Sequence, residues 1–193
     1  MELKNMLSGL ENLKVKGSLD IDISKIKNDS KEVSESDVFV ALTGFNFDGH
    51  EYIEEAVKNG AKAVVMQEDK IDKNIIKKIP SEVTIVVVPD TRYALAIMAC
   101  NYYQNPSRKV KLIGVTGTKG KTTTTYMIRD ILEKQGIKTG LIGTVASYIG
   151  DKKIADNDNT TPESLKLQEI LAKMVKEKCE VVVAEVSSQS LKL

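Results

Sequence analysis

The sequence holds one histidine and two cysteines in 193 residues. His50 alone cannot build a histidine-rich metal cluster. Cys100 and Cys179 lie far apart and belong to no CxxC pair, so they read as two buried thiols in a reducing compartment. Charge of one sign is also lacking: 28 basic against 27 acidic residues leave +1, which provides no basic field for nucleic acid or a membrane surface. No apolar run is long enough to span a bilayer, and Met1 opens a polar, amphipathic stretch rather than a secretory signal. A cytoplasmic protein without membrane insertion is expected. With 41% hydrophobic and 28% charged residues, the chain can fill one large domain or two small ones.

What is present is an alternation of short apolar runs with amphipathic stretches, which predicts an α/β fold. Residues 37–42, 61–67 and 83–89 read as strands, and 50–60 as a helix with Ile53, Ala56 and Val57 inward and Gly60 as its stop. The charged stretch between the second and third strands reads as a surface excursion or short helix. Asp90 is placed to cap a helix ending before Pro106. Residues 109–116 then read as a buried strand and 121–136 as a helix with Met127, Ile128, Ile131 and Leu132 as its apolar stripe. Another strand is expected over 139–150, a helix over 164–178 and a strand over 180–188. These elements divide into a small α/β domain, 1–88, and a doubly wound parallel-sheet domain, 89–193.

The strongest chemical signal is GVTGTKGKTTT (114–124), set between a predicted strand and a predicted helix. Glycines let a backbone wrap closely around oxyanions, and the first amides of a helix point at them. Lys121 is placed for the terminal phosphates and the Thr122 hydroxyl for Mg²⁺. Val115 stands where the general pattern has its first glycine, and a ligand-free Gly/Thr turn is the plain alternative. VVVAE (181–185) puts Glu185 at the carboxyl end of an apolar strand, where doubly wound sheets bind ligands. Alone, a surface acid would be the better reading; beside a phosphate loop, a Mg²⁺ ligand is.

The loop resembles the GTxGKTT loop of the Mur ligases and of their folylpolyglutamate synthetase relatives. NDSKEVSESDVFVALTGFNFDGHEYIEEAVKNGA (28–61), NTTP (159–162) and EVSSQSL (185–191) are similar, in order and spacing, to the tripeptide-synthetase branch of the Mur family. The resemblance implies ATP held by Gly117, Thr118, Lys119, Gly120, Lys121, Thr122 and Thr123, with Lys121 catalytic and Mg²⁺ on Thr122 and Glu185. It implies a UDP-binding first domain using Ser30, Phe45, Asn46 and Phe47, with Asp48, Gly49 and His50 shaping the loop. Asn159, Thr160, Thr161 and Ser187 would meet the muramoyl-peptide. NTTP also reads as helix-capping chemistry. The implied reaction adds the third amino acid to UDP-N-acetylmuramoyl-L-alanyl-D-glutamate through an acyl phosphate, in an enzyme that is monomeric when complete.

Three departures stand out: Lys119 for Asn, Lys31 for Arg, and Gln189 for the His after the paired serines. Family members carry a longer central domain and a carboxyl-terminal amino-acid-binding domain. The resemblance therefore makes this a truncated, amino-terminal part that binds without turnover, with Glu185 near an exposed sheet edge. A non-catalytic UDP- or nucleotide-binding fragment, another Mur-type ligase and a folylpolyglutamate-type ligase are the alternatives. The last leaves residues 28–61 unexplained.

Overall fold

The computed structural model describes residues 1–44, 47–157 and 159–190. The chain forms two compact units, Met1–Tyr102 and Tyr103–Leu193. The first is built on β2 (Ile26–Lys27), β3 (Val38–Val40), β4 (Ala63–Gln67) and β5 (Thr84–Val88), all parallel, with β1 (Lys14–Lys16) antiparallel on the β5 edge. The spatial order is β1-β5-β4-β3-β2.

Because side chains alternate along a strand, Phe39, Val64, Met66, Ile85 and Val87 share one face. There they pack with Ile53 and Ala56 of α2 (Ile53–Lys58) and with Ile75 and Ile76 of α3 (Lys73–Lys78). Val38, Val40, Val65, Val86 and Val88 are equally buried on the opposite face. Each such burial stabilises the unit by about 1.5–3 kcal/mol.

The helix after Asp90 belongs to this first unit, one element beyond the boundary expected at residues 88–90. Asp90 caps α4 (Thr91–Tyr102), its Oδ1 accepting from the Arg92 and Tyr93 amides at 2.8 and 3.0 Å. Burial of Ala94, Leu95, Met98 and Ala99 then holds the helix to its own sheet, where it meets β4. Asn101 Nδ2 adds two bonds, to the carbonyls of Met6 and Ser8. Met6 lies in a short amino-terminal helix, α1 (Leu3–Met6).

The second unit has the order β6-β10-β7-β8-β9. β6 (Lys111–Val115), β10 (Val181–Glu185) and β7 (Thr139–Ile142) are parallel. β8 (Ala146–Ile149) and β9 (Lys152–Asp156) continue the sheet antiparallel. Its two faces are covered by different helices, as a doubly wound sheet requires. Leu141, Val181 and Val183 take Tyr126, Ile128 and Leu132 of α5 (Lys121–Lys134). Ile142, Val182 and Ala184 take Ile170, Leu171 and Met174 of α6 (Ser164–Lys176).

Several expectations are corrected here. β6 is an edge strand, not a buried one: Leu112 is 49% and Ile113 36% exposed. β10 lies one strand in from that edge, as expected, but it is paired on both sides and Glu185 is buried, at 1% exposed. Residues 139–150 form two strands, because the chain reverses over Gly143–Val145 and Ser147 pairs back on Ile142. The α5 stripe divides: Ile128 and Leu132 pack inward, whereas Met127 and Ile131 are exposed. Cys179 is buried, which pushes its thiol above the ordinary range, but Cys100, in the other unit, is only half-buried.

Candidate functional site

The turn from β6 into α5 carries the segment that the sequence reads as a phosphate loop. Gly120, directly before the helix, has φ +81°, a conformation that favours glycine and that lets the chain enter α5. Thr118, Lys119, Gly120, Thr122 and Thr123 are all exposed on the loop and first helical turn. Lys121 Nζ donates back to the Gly117 carbonyl at 2.8 Å, so the ammonium lies across the loop that precedes it.

Glu185 faces this loop from the carboxyl end of β10. Thr122 Oγ1 donates to its Oε2 at 3.0 Å. A second threonine, absent from the sequence reading, holds the same carboxylate: Thr144 N–H donates to Oε1 at 3.2 Å and Thr144 Oγ1 to Oε2 at 3.1 Å. A buried carboxylate is tolerated because it is hydrogen-bonded from several directions.

Thr161 Oγ1 donates to the Glu185 carbonyl at 2.9 Å and accepts from the Ser187 amide at 3.0 Å. It thereby staples the 159–162 segment to the turn after β10. Thr160 Oγ1 lies 3.4 Å from Thr144 Oγ1, Asn159 is exposed, and the Ser187 hydroxyl pairs with that of Ser190. The fold thus brings Thr122, Glu185, Thr161 and Ser187 together across one end of the sheet. Helix capping by this segment is not what forms: the α6 N-cap is Glu163, without a side-chain cap, because the Thr161 hydroxyl is committed elsewhere. Asn157, also missed in the sequence, braces the β7–β8 turn through the Gly143 carbonyl at 2.7 Å and Ser147 Oγ at 3.0 Å.

In the first unit, Ser30 follows β2 and residues 41–44 follow β3, so parallel pairing puts both at the carboxyl end of the sheet. Ser30 is buried, its hydroxyl donating to Glu55 Oε2 at 2.5 Å and its carbonyl accepting from Asn59 Nδ2 at 2.9 Å. Phe47 is 61% exposed. The expected contacts of Phe45 and Asn46 lie outside the described residues. A cavity of about 340 Å³ opens at the same end of the sheet, lined by Leu10, Asn12, Pro89, Asp90 and Tyr93 among others.

Asp48 and His50 organise the loop. The Gln67 amide donates to His50 Nε2 at 2.9 Å, which leaves the ring proton on Nδ1 to donate to Asp48 Oδ1 at 2.6 Å. Asp48 Oδ1 also takes the His50 amide, and Lys70 stands 3.4 Å from Oδ2. Burial pushes the Asp48 carboxyl up, but the His50 amide and ring and the Lys70 ammonium outweigh it, so it sits below its usual 3.8. A depressed carboxyl stabilises the fold above its unfolded value and loses that contribution as pH falls through the folded one. Asp48→Asn is therefore expected to cost about 1–3 kcal/mol at neutral pH. In urea titrations, that difference from the parent should shrink as pH falls below 3.8. A difference independent of pH would contradict the assignment.

Comparison with known proteins places both units. Residues 22–103 match the model described as "Mur ligase family, catalytic domain", and residues 115–193 match "Mur ligase middle domain". The chain belongs to the Mur ligase family. It is 47% identical over 193 residues to the UDP-N-acetylmuramoyl-L-alanyl-D-glutamate--2,6-diaminopimelate ligase of Clostridium perfringens, and 49% identical to that of Clostridium botulinum. All of this chain is covered, against 38% and 39% of those relatives, so it spans well under half their length. A solved structure of a ligase of the same name covers all of the chain with TM-score 0.75 at 23% identity and 37% of its own length, which bears on fold alone. The Mur ligase fold is also seen in MurF of Thermotoga maritima, solved in complex with ADP. That structure is 30% identical with TM-score 0.54, over 85% of this chain and 32% of its own. Among the described residues, no helix is long and apolar enough to cross a membrane.

Proposed function

We propose that the chain is the uridine- and ATP-binding portion of a ligase that adds 2,6-diaminopimelate to UDP-N-acetylmuramoyl-L-alanyl-D-glutamate in peptidoglycan precursor synthesis. The observation that carries the ATP reading is the Glu185 carboxylate, buried at the end of β10 and 3.0 Å from the Thr122 hydroxyl of the phosphate loop. The names of the clostridial relatives support the substrate and the third residue.

Amides at the start of α5, together with Gly117–Thr123, cradle the phosphates, and Lys121 leaves the Gly117 carbonyl to neutralise the terminal phosphoryl oxygens. Thr122 and Glu185 suit Mg²⁺: one hydroxyl and one carboxylate are hard oxygen donors. The described residues contain no cluster of three His, Cys, Asp or Glu. Mg²⁺ keeps several waters and takes phosphate oxygens, so it needs no closed protein cage. When bound it neutralises charge on the phosphates.

The γ-phosphoryl passes to the substrate's terminal carboxylate with ADP leaving. The amine of the amino acid then attacks the acyl carbon, expels phosphate and forms the amide. Asn159, Thr160 and Ser187 are proposed to meet the muramoyl-peptide, with Thr161 tying their segment to Glu185 and Ser187. Ser30 and the loop through Phe47 are proposed to meet the uridine end. We propose that these 193 residues bind without turning over, since the β6 flank of the crevice is an open sheet edge that orients no amine.

Equilibrium ADP titrations with and without Mg²⁺ test the site. Wild-type affinity should rise with the metal, and Glu185→Gln should lose that rise. Full metal dependence in the variant would remove Glu185 from the site.

A further inference from the structure

Two threonines hold the Glu185 carboxylate, and one of them, Thr144, lies outside the phosphate loop. Thr122 reaches it from the first turn of α5. Thr144, two residues past the end of β7, reaches it from the β7–β8 turn, with its amide on Oε1 and its hydroxyl on Oε2. Gly143 makes this approach possible, since a Cβ there would stand 2.9 Å from Oε1. The Asn157 side chain fixes the Gly143 carbonyl, so the turn carrying Thr144 is itself braced.

We propose that Thr144 is a positioning residue for the divalent cation that accompanies the nucleotide. It sets the plane of the Glu185 carboxylate before metal arrives. A carboxylate oxygen offers two lone-pair sites. Thr144 fills one on each oxygen, which leaves one site on Oε1 and the Oε2 site that Thr122 holds. A free carboxylate would spend binding energy on fixing its orientation, whereas one clamped by a donor pair does not. Arg or Lys could not serve here without competing with the cation for the charge; a hydroxyl and an amide orient the carboxylate and leave its charge in place. Sequence spacing hides this role, because Thr144 and Glu185 are 41 residues apart. The proposal rests on the nucleotide reading above.

The test uses Mn²⁺ as a paramagnetic probe with ADP and the full 193-residue chain, read by electron paramagnetic resonance. Thr144→Val keeps the β-branched shape and the amide but removes the hydroxyl. It is expected to bind Mn²⁺ about 10–100-fold more weakly in the presence of ADP. ADP affinity in EDTA should stay at the wild-type value, and Thr144→Ser should restore Mn²⁺ affinity. If the valine variant fails to fold, Thr144→Ala removes the same hydroxyl without added apolar bulk, and the same loss is expected. Wild-type Mn²⁺ affinity in the folded valine or alanine variant would overturn the proposal. So would an equal loss of ADP affinity with and without metal, since that marks a merely structural contact. If the wild-type chain binds ADP with no response to Mn²⁺, the nucleotide-metal reading itself fails, and the proposal fails with it.

Discussion

Lys121→Ala is expected to weaken ATP and ADP binding by roughly 30- to 150-fold, equivalent to about 2–3 kcal/mol. The ammonium is the one cationic side chain at the first turn of α5, and in the structure it spans the loop to the Gly117 carbonyl. That contact is exposed and neutral at its acceptor, so losing it should leave the thermal stability of the second unit nearly unchanged. Moved onto phosphate, the same group makes a charge-assisted bond. In an enzyme of the relatives' full length the turnover loss should exceed the binding loss, because charge on the transferring phosphoryl develops in the transition state. Unchanged nucleotide affinity in the alanine variant would place the phosphates elsewhere.

Gly49→Ala should have the largest effect on the first unit. An alanine Cβ would stand 2.7 Å from the Leu42 carbonyl oxygen and 2.8 Å from its nitrogen. Both are backbone atoms, and the Gly49 amide already donates to that carbonyl at 2.8 Å. No side chain can swing aside, so the backbone at Ala41 and Leu42 or at Gly49 itself must shift. Overpacking of this kind costs about 1–3 kcal/mol, which in a unit of this size lowers Tm by on the order of 10 °C. The displaced loop carries Phe47, so binding of UDP-N-acetylmuramic acid should weaken together with stability. A variant with parental Tm and parental affinity would show that the loop is more tolerant than its packing implies.

Much of this was legible in the sequence, for local reasons. GTKGKTT and VVVAE each fit within a few residues, and a strand–loop–helix context supplies the rest. Gln189 and Lys119 stand exposed, so neither disturbs that geometry. What escaped depended on distance. Residues 109–116 are as apolar as a central strand, and periodicity cannot distinguish an edge from an interior position; only pairing puts β6 outside β10. The β7–β8 reversal lay inside one apolar stretch whose Gly143 marked it weakly. β1, with all three residues exposed, offered no apolar signal. Thr144 and Asn157 look like ordinary turn residues until the fold sets them beside Glu185 and Gly143. Thr161 was singled out in the sequence, but its bonds to the Glu185 carbonyl and the Ser187 amide, 24 and 26 residues away, were not visible there.

The division of labour between the two units is tested most directly by amide chemical shifts in ¹⁵N-labelled chain, titrated first with UDP-N-acetylmuramic acid and then with MgATP. The first ligand should move Ser30 and the Phe47–His50 amides and leave residues 117–123 in place. The second should move 117–123, Thr144 and Glu185 and leave the first unit's loop unchanged. Shifts from UDP-N-acetylmuramic acid confined to the second unit, or from MgATP confined to the first, would contradict the account.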